Sequence, residues 1–192
     1  MRTSIIAAVI VVTSAVLAVE RANAVPIQWT AGGGGNDHWY ELVRSQVSWT
    51  AAESAAGSAT YLGLDGHLAT ITSEAENTFI RDSIAINELA WIGLTDQDSE
   101  GSFEWVTGET VSYSNWNSGE PNNFGGIEHY AEFIGFFGSD RGEWNDLSDL
   151  SGGGRFYVVE YEAVSVPEPG TLALLLSALL IFRARRLTGR PR

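Results

Sequence analysis

Carboxylate and amide side chains gather in two short runs of this sequence. Glu120-Pro121-Asn122 is the first run and Trp144-Asn145-Asp146 is the second, with Glu128 between them. Carboxylates that a fold brings close together repel one another unless a cation neutralises them. Oxygen-only ligands of this mixed kind suit a hard cation, and calcium better than magnesium, because Ca²⁺ accepts several protein oxygens in irregular geometry. The residue types therefore indicate a calcium site.

Two capping patterns predict helices ahead of this region. Thr50-x-x-Glu53 precedes an alanine-rich segment, so Ser48 or Thr50 is expected to cap a first helix. Ser73-x-x-Glu76 is a second capping box and opens a helix that runs to about residue 86. The residues of this helix that are predicted to face inward are Phe79, Ile80 and Ile84.

Short strands and one long irregular segment complete the predicted elements. Residues 95–128 show little periodicity and are rich in Gly, Ser, Asn and Asp, and a stretch of that length in a compact domain is usually functional or disordered. Two helices followed by short antiparallel strands around such an excursion form an α+β fold. Apolar and alternating runs predict strands at 38–43, 68–71, 91–94, 130–134, 143–147 and 156–161.

Both ends of the chain have the composition of targeting segments. Residues 1–24 combine Arg2, an apolar stretch and Ala22-Asn23-Ala24, which predicts a cleaved secretory signal peptide; an uncleaved N-terminal anchor is the alternative. Residues 165–192 combine Pro167-Glu168-Pro169, an apolar run over 172–182 and five arginines. At about 1.5 Å per residue that run is shorter than the ~30 Å hydrocarbon core, so it spans a membrane only with flanking residues recruited. The arginines predict a cytoplasmic tail.

The charge of the remaining domain, residues 25–164, excludes several classes of partner. The whole chain carries a formal charge of −13, but most of its arginines lie in the two end segments. The part between them keeps four arginines against 22 acidic residues, a formal charge of −18. Such a domain is repelled by nucleic acid and by anionic lipid, so contact with a membrane is expected only through the C-terminal segment.

The two acidic runs, together with Trp91-Ile92-Gly93-Leu94, stand in the order and approximate spacing of a C-type lectin domain, and the chain resembles this family from about residue 38 to 161. The resemblance implies an α+β fold with two helices, small antiparallel sheets and a long calcium-binding loop region. It implies a cis peptide bond before Pro121 and a carbohydrate that binds through the calcium ion. The ligands of the principal calcium site are then Glu120, Asn122, Glu128, Asn145 and Asp146.

A second, auxiliary calcium site of the family corresponds to a less complete set of residues. Asp96-Gln97-Asp98-Ser99-Glu100-Gly101 begins like an EF-hand loop, but the twelfth position is Thr107 and no helix follows. By resemblance Asp96 and Glu100 are possible auxiliary ligands, and a solvated acidic turn is the alternative. Two further positions of that site are Asn123 and His129 in this chain.

The C-terminal segment resembles the PEP-CTERM sorting signal of Gram-negative bacteria. That resemblance implies processing by an exosortase near the Pro-Glu-Pro motif, after transient anchoring in the inner membrane. The mature domain is then delivered to the cell surface or extracellular matrix. A simple C-terminal membrane anchor is the alternative. The predicted organisation is a signal peptide (1–24), a C-type lectin-like domain (25–164) and a sorting signal (165–192).

Cysteine is absent, so no disulfide framework can hold this exported domain. Animal C-type lectins normally carry two disulfides, and the chain departs from that pattern. The positions that align with the later cysteines of the family are Tyr130, Asp149 and Val159. Hydrophobic packing and any bound metal must therefore stabilise the fold.

Aromatic and histidine residues offer weaker indications. Phe124 lies in the polar loop after the first acidic run and is the better candidate for apolar contact with a sugar, ahead of Phe136-Phe137. The histidines His38, His67 and His129 have no zinc-type spacing such as HExxH and are interpreted as structural. The tryptophans predicted to lie mostly in the core, rather than to stack on sugar, are Trp91, Trp105, Trp116 and Trp144.

No enzyme class is indicated by these patterns. The sequence lacks a cysteine nucleophile, a GxSxG elbow, GxGxxG and a Walker A motif. A glycosidase pair drawn from Glu120, Glu128 and Asp146 is conceivable, but the flanking asparagines favour cation coordination. The prediction is a calcium-dependent binding protein for mannose- or glucose-type units of a glycan or exopolysaccharide. The alternative is a calcium-stabilised adhesion module that contacts protein and no sugar.

Overall fold

The computed structural model describes residues 24–135, 141–149 and 153–162. The predicted sorting signal, Phe136-Phe137 and all but the last residue of the predicted signal peptide lie outside these ranges. Within the described ranges, no helix has the length and apolar character needed to cross a membrane. The elements are β1 (Ile27–Gln28), β2 (Trp39–Val47), α1 (Trp49–Ala56), β3 (Thr60–Tyr61), β4 (Leu64–Leu68), α2 (Glu74–Phe79), a π-helical turn (Ile80–Ile84), β5 (Leu89–Thr95), β6 (Glu104–Trp105), β7 (Tyr130–Ile134), β8 (Trp144–Leu147) and β9 (Arg155–Tyr161).

Strand β9 is the centre of the sheet, in which neighbouring strands follow the order β1-β2-β9-β5-β7-β8. One side of β9 pairs antiparallel with β2 along most of its length. The other side is shared, because Phe156 and Tyr157 pair parallel with β5 while the C-terminal end pairs antiparallel with β4. The last described strand is thus enclosed by strands from the first half of the chain. Two helices and this mixed sheet confirm the α+β prediction.

Helix α1 begins one residue after Ser48, whose hydroxyl oxygen accepts a hydrogen bond from Ala51 N–H at 3.2 Å. Ser48, one of the two predicted caps, is therefore confirmed as the N-cap, and the Thr50-x-x-Glu53 capping box is wrong. Thr50 lies inside the helix, and both its N–H and its hydroxyl donate to the carboxylate of Asp149. The start is set by tertiary packing, since buried Trp49 also donates its indole N–H to the Ile92 carbonyl.

Helix α2 begins after Ser73, as predicted, with Ser73 Oγ accepting from Glu76 N–H at 3.2 Å. The Glu76 carboxylate does not complete the capping box on Ser73, because its Oε2 accepts from both the N–H and the hydroxyl of Thr72. The helical segment ends at Ile84 in a π-helical turn rather than near residue 86. Ile80 and Ile84 are buried and Phe79 is partly buried, so the predicted inward face is confirmed.

Strand β7 has the predicted bounds, and the other predicted strands shift by a few residues. The largest shift is at β4, which the 68–71 prediction placed too late. Ala69 and Ile71 are fully buried apolar residues that lie beyond the end of β4 at Leu68, although Ala69 N–H still donates to the Val158 carbonyl of β9. Their neighbour Thr70 donates its N–H to the Glu160 side chain instead of to a strand. Burial alone therefore did not distinguish strand from buried coil.

Trp144 connects the long irregular segment to the core. Its buried indole N–H donates to Asn77 Oδ1 of α2 at 2.9 Å. The rings of Trp105, Tyr113 and Trp116 meet the Trp144 ring edge-on, with centroids 5.7–5.8 Å apart. Edge-on aromatic pairs contribute about 0.5–1.5 kcal/mol each beyond their buried area. The prediction that most tryptophans are core residues is confirmed, since Trp91, Trp105 and Trp144 are buried and Trp116 packs against them.

Noncovalent contacts occupy the three positions that align with cysteines of the family. Tyr130 stacks on Trp49 of α1 with centroids 4.6 Å apart. Asp149 accepts the two hydrogen bonds from Thr50. Val159 is buried in the cluster that surrounds α1. These contacts join α1 to β7, to β9 and to the segment after β8 without a covalent bond.

The glycine of the Trp91-Ile92-Gly93-Leu94 motif generates the first prediction. A Cβ added to Gly93 would lie 2.6 Å from the Leu68 carbonyl oxygen and 2.9 Å from Val106 Cγ2. Because the backbone cannot give way cheaply, we expect Gly93→Ala to lower the free energy of unfolding by about 1–3 kcal/mol in urea melts.

Gly57→Ala is the matched control for this substitution. Gly57 has right-handed helical backbone angles and its added Cβ approaches Glu53 O no closer than 3.4 Å. Its stability should change by no more than about 0.5 kcal/mol. Equal stabilities of the two variants would contradict the close packing assigned to Gly93.

Candidate functional site

Asp146 of β8 holds the loop that carries the first acidic run. The two oxygens of its buried carboxylate accept hydrogen bonds from the backbone N–H groups of Asn122 and Asn123, at 3.0 and 2.8 Å. Since these bonds are made to backbone atoms, they set the position of the loop independently of the Asn122 side chain. The two runs recognised in the sequence are therefore adjacent in the fold.

Glu128 closes the same loop from its other end. Its Oε2 accepts from Phe124 N–H at 2.8 Å, and its own N–H donates to Asn123 Oδ1 at 3.1 Å. The chain turns between these residues through Gly125 and Gly126, both with positive φ, which suits glycine because it has no Cβ. The loop from Asn122 to Glu128 thus brings a second carboxylate close to Asp146.

Glu120 supplies the third carboxylate. The peptide bond between Glu120 and Pro121 is cis, as the family resemblance implied. Burial raises the pKa of the Glu120 carboxyl, and the neighbouring Asp146 and Glu128 charges raise it further. Burial likewise raises the pKa of Glu128, with Asp146 and Glu132 adding to the shift. The three predicted carboxylates therefore lie near enough to oppose one another's ionisation.

Asn145 lies beside Asp146 along β8, but its side chain is engaged on the neighbouring strand. Its Nδ2 donates to Glu132 Oε1 at 3.1 Å, and Arg155 Nε donates to Glu132 Oε2 at 2.5 Å. A carboxylate paired with arginine only accepts, so the Asn145 oxygen points away from Glu132. Sequence reasoning missed Glu132 and Arg155. The sequence did contain a signal for this pair, because Glu132 interrupts the apolar run of β7. A carboxylate buried in a strand needs a charged or hydrogen-bonding partner.

The grouped residues fit a cation. Oε2 of Glu120 is buried and has no hydrogen-bond partner in the structure. A buried carboxylate oxygen without a partner is costly, and here it lies beside two further carboxylates. Glu120, Asn122, Glu128 and Asp146 are thus brought together, while Asn145 adjoins them with its amide bound to Glu132. The donor set is oxygen alone, which is the chemistry that calcium prefers.

The auxiliary candidates form a separate group. Asp96 Oδ1 and Glu100 Oε2 lie 3.2 and 3.6 Å from Nδ1 of His129. Asp96 is buried and also accepts from Gly101 N–H. Asn123, the fourth aligned position, instead bonds to Glu128 and Asp146. This group contains an imidazole nitrogen in place of a carboxylate, so it matches calcium less well than the principal group.

Two apolar side chains flank the principal group. Phe124 is 78% exposed and Ile127 is 59% exposed, and both lie in the loop between Asn122 and Glu128. Sequence reasoning singled out Phe124 and missed Ile127. Exposed apolar residues beside a polar site are available for contact with a ligand.

Crowding of the three carboxylates generates the second prediction. Because the folded pKa of Glu120 is raised, its ionised form opposes folding. This opposition is absent below the ordinary pKa of 4.5 and grows as the pH rises through the raised value. In chelator, Glu120→Gln should therefore raise the Tm at neutral pH, and the gain should vanish as the pH approaches 4.5.

Glu53→Gln is the control for charge removal alone, since Glu53 is exposed on α1 and outside the group. Thermal melts of both variants in EDTA across this pH range give the comparison. A lower Tm of the Glu120 variant at neutral pH would show that the ionised carboxylate stabilises the metal-free fold. That result would contradict the expected repulsion among the three carboxylates.

Several known proteins are similar to this chain in both sequence and fold. The lectin C-type domain model matches residues 45–152. Halomucin of Haloquadratum walsbyi is 39% identical over 137 residues, which is 65% of this chain and 1% of that protein. The mannose-binding protein of Gallus gallus is 41% identical over 93 residues, which is 48% of this chain and 34% of that protein. The chain therefore matches only a part of either relative.

The solved structures agree with the family model. The crystal structure of the C-type lectin CEL-I from Cucumaria echinata matches with a TM-score of 0.59 and 28% identity, over 67% of this chain and 92% of that one. The family model, the relatives and the fold point to the same conclusion: this chain belongs to the C-type lectin domain family.

Proposed function

We propose that the domain binds one calcium ion through Glu120, Asn122, Glu128, Asn145 and Asp146, and a carbohydrate through that ion. The observation that carries the proposal is the buried, unpartnered Oε2 of Glu120 beside the carboxylates of Asp146 and Glu128. The partners of these three carboxylates are mainly backbone N–H groups, which carry no net charge. A divalent cation would neutralise much of the remaining negative charge. The domain is proposed to act by binding rather than by catalysis.

The chain's own side chains would orient the sugar. Calcium supplies coordination positions for the oxygens of two adjacent hydroxyl groups. Each hydroxyl can donate to a carboxylate of Glu120 or Glu128 and accept from the amide of Asn122 or Asn145. The Asn145 amide has two hydrogens, and its bond to Glu132 uses one of them. The other hydrogen remains for a sugar oxygen.

The order of acid and amide favours mannose- or glucose-type units. In C-type lectins, Glu-Pro-Asn accompanies these sugars and Gln-Pro-Asp accompanies galactose, and this chain has Glu120-Pro121-Asn122. The relative from Gallus gallus is named a mannose-binding protein. Phe124 is proposed to add apolar contact at the edge of the site, since it is exposed there. Few atoms are buried on a single sugar, so useful binding requires several copies on a surface.

Calcium-dependent retention on mannose resin is the third prediction. The full chain should bind the resin in calcium, elute in EDTA, and bind calcium with a Kd of about 10⁻⁴–10⁻³ M. Asp146→Asn keeps one acceptor oxygen for the loop but loses the charge, so calorimetric titration should show much weaker calcium binding. Glu120→Gln with Asn122→Asp should shift retention toward galactose, because exchanging acid and amide reverses the pattern of donors and acceptors.

Glu53→Gln is again the control and should retain both activities, since Glu53 is exposed on α1. Unchanged calcium affinity in the Asp146 variant would rule out the metal assignment. Calcium binding without retention on any neutral sugar would rule out the lectin activity and favour the adhesion module that contacts protein.

The chain ends support a proposal about location. We infer that residues 1–24 direct export, and that residues 165–192 are a PEP-CTERM signal processed by an exosortase in a Gram-negative bacterium. The domain would be anchored transiently in the inner membrane and then released to the cell surface or matrix. The support is the Pro167-Glu168-Pro169 motif followed by a short apolar run and arginines.

Intact-mass analysis of surface protein from the native cell provides the fourth prediction. The mature form should begin near Val25 and lack the arginine-rich tail, because cleavage is expected on the C-terminal side of the lectin domain. Surface protein that retains residues 183–192 would contradict exosortase processing and leave the simple membrane anchor.

A further inference from the structure

Three adjacent strands carry two histidines and two glutamates to one place outside the lectin site. Strand β9 lies between β2 and β4 at its C-terminal end, where Trp39 is opposite Tyr161 and His67 is opposite Glu160. His38 directly precedes β2 and Glu162 directly follows β9. Side chains two residues apart share a face of a sheet, so Glu160 and Glu162 point to the same side. The register therefore predicts that the four side chains converge.

The distances show these side chains in two contacting pairs. Nδ1 of His38 lies 2.6 Å from Oε1 of Glu160, and Nε2 of His67 lies 3.3 Å from Oε1 of Glu162. The ligand atoms of His38, Glu160 and Glu162 all lie within 4.8 Å of one another, while His67 lies outside this group of three and reaches only Glu162. Cross-strand neighbours on one face have Cβ atoms about 4.5–5.5 Å apart, which is close enough for such side chains to share a ligand.

The hydrogen bonding of His67 leaves its Nε2 atom without a partner. Its Nδ1 lies 2.8 Å from the carbonyl oxygen of Leu68. A carbonyl oxygen only accepts, so Nδ1 carries a hydrogen and Nε2 is the ring nitrogen that remains to bind a ligand. That Nε2 atom is buried, has no hydrogen-bond partner and faces the Glu162 carboxylate. A cation placed between Nε2 and the Glu162 carboxylate would bind both.

Glu160 is held in place by groups that do not belong to the cluster. Its Oε1 accepts from the Tyr40 hydroxyl at 2.8 Å and its Oε2 accepts from Thr70 N–H at 2.9 Å. Glu160 is 2% exposed, so these bonds orient a buried carboxylate. Outer partners of this kind, together with the Leu68 carbonyl on His67, are typical of metal sites because they fix the orientation of the ligands.

We propose that His38, Glu160 and Glu162 bind a divalent metal ion of the zinc class, and that His67, whose Nε2 already lies beside Glu162, turns toward the ion as the fourth ligand. Two imidazole nitrogens favour zinc over calcium, which takes oxygen ligands. Bonds of about 2.0–2.1 Å in a tetrahedron place neighbouring ligand atoms about 3.3–3.4 Å apart, and the pair from His67 and Glu162 already has that spacing. The pair from His38 and Glu160 is at hydrogen-bond length and must open by about 0.7 Å when the metal replaces the shared proton.

A metal ion bound at this zinc-class site would link three strands of the sheet. It would join β2, β4 and β9, the strands that close the first half of the domain onto its end. The chain has no cysteine, so a metal would provide there the cross-strand link that a disulfide cannot. The site is independent of calcium and of sugar, since none of its four ligands belongs to the proposed lectin site.

Zinc titration of the full chain is the fifth prediction. Calcium is kept in excess to fill the oxygen-only site, and zinc chloride is added in the calorimeter. We expect one zinc per chain and a higher Tm with zinc. His67→Gln and Glu162→Gln should each weaken zinc binding at least about tenfold, the lower bound for losing even an outer partner of a metal ligand. Cobalt as a substitute should give the visible absorption of a tetrahedral complex.

His129→Gln is the matched control, because the chain has three histidines and His129 belongs to the group with Asp96 and Glu100. This variant should bind zinc like the unsubstituted chain. Glu162 has a side chain that is 41% exposed, so its variant should fold normally and keeps the test valid if the His67 variant does not fold. Loss of zinc binding in the His129 variant alone, or no zinc binding by the unsubstituted chain, would overturn the proposal.

Discussion

The burial of the Trp144 indole is the interaction on which the irregular half of this domain depends. Its ring receives the edges of Trp105, Tyr113 and Trp116, and its N–H donates to Asn77 of α2. The backbone of the same residue bonds to Asn115 and Asn117, so the long segment is tied to β8 by main chain as well as by side chains. Asp146 lies two residues further along that strand and holds the loop of Asn122 and Asn123. The position of the candidate calcium site therefore follows from how one tryptophan is packed.

A domain without disulfides needs other connections between its layers, and this one uses aromatic and acidic side chains. Tyr130 and Asp149 contact α1 at positions where the family has cysteines. Several carboxylates are buried as well, and each needs donors or a cation because an isolated buried charge is costly. Glu132 satisfies that need with Arg155 and Asn145. Glu120 has an oxygen for which the fold provides no partner, which links the stability of the domain to ions in its surroundings.

Elements with a strong local pattern were predictable. The apolar run at β7 predicted its bounds, and Ser73 was recognised as a cap because its hydroxyl oxygen accepts from an N–H three residues later in the same helix. Thr50 carries the same kind of signal but lies inside α1, since its hydrogen bonds go to Asp149, far away in sequence. β4 was misplaced because Ala69 and Ile71 are buried although they lie beyond its end at Leu68. Sequence patterns indicate burial and hydrogen bonds between residues close in sequence. A hydrogen-bond partner far away in sequence can give the same pattern a different structure.

The sequence by itself determined the α+β class and the family, because Glu120-Pro121-Asn122, Trp144-Asn145-Asp146 and the glycine-containing Trp91 motif are local runs with fixed order. The ligand set that they indicate remains a prediction, and the fold adds that three of its carboxylates and Asn122 are neighbours. Only the tertiary structure revealed that Glu132 binds Asn145, and that His38 and His67 meet Glu160 and Glu162. These contacts join residues on different strands. These contacts are determined by the order of the strands in the sheet and by their register. Neither can be read from the spacing of residues along the chain.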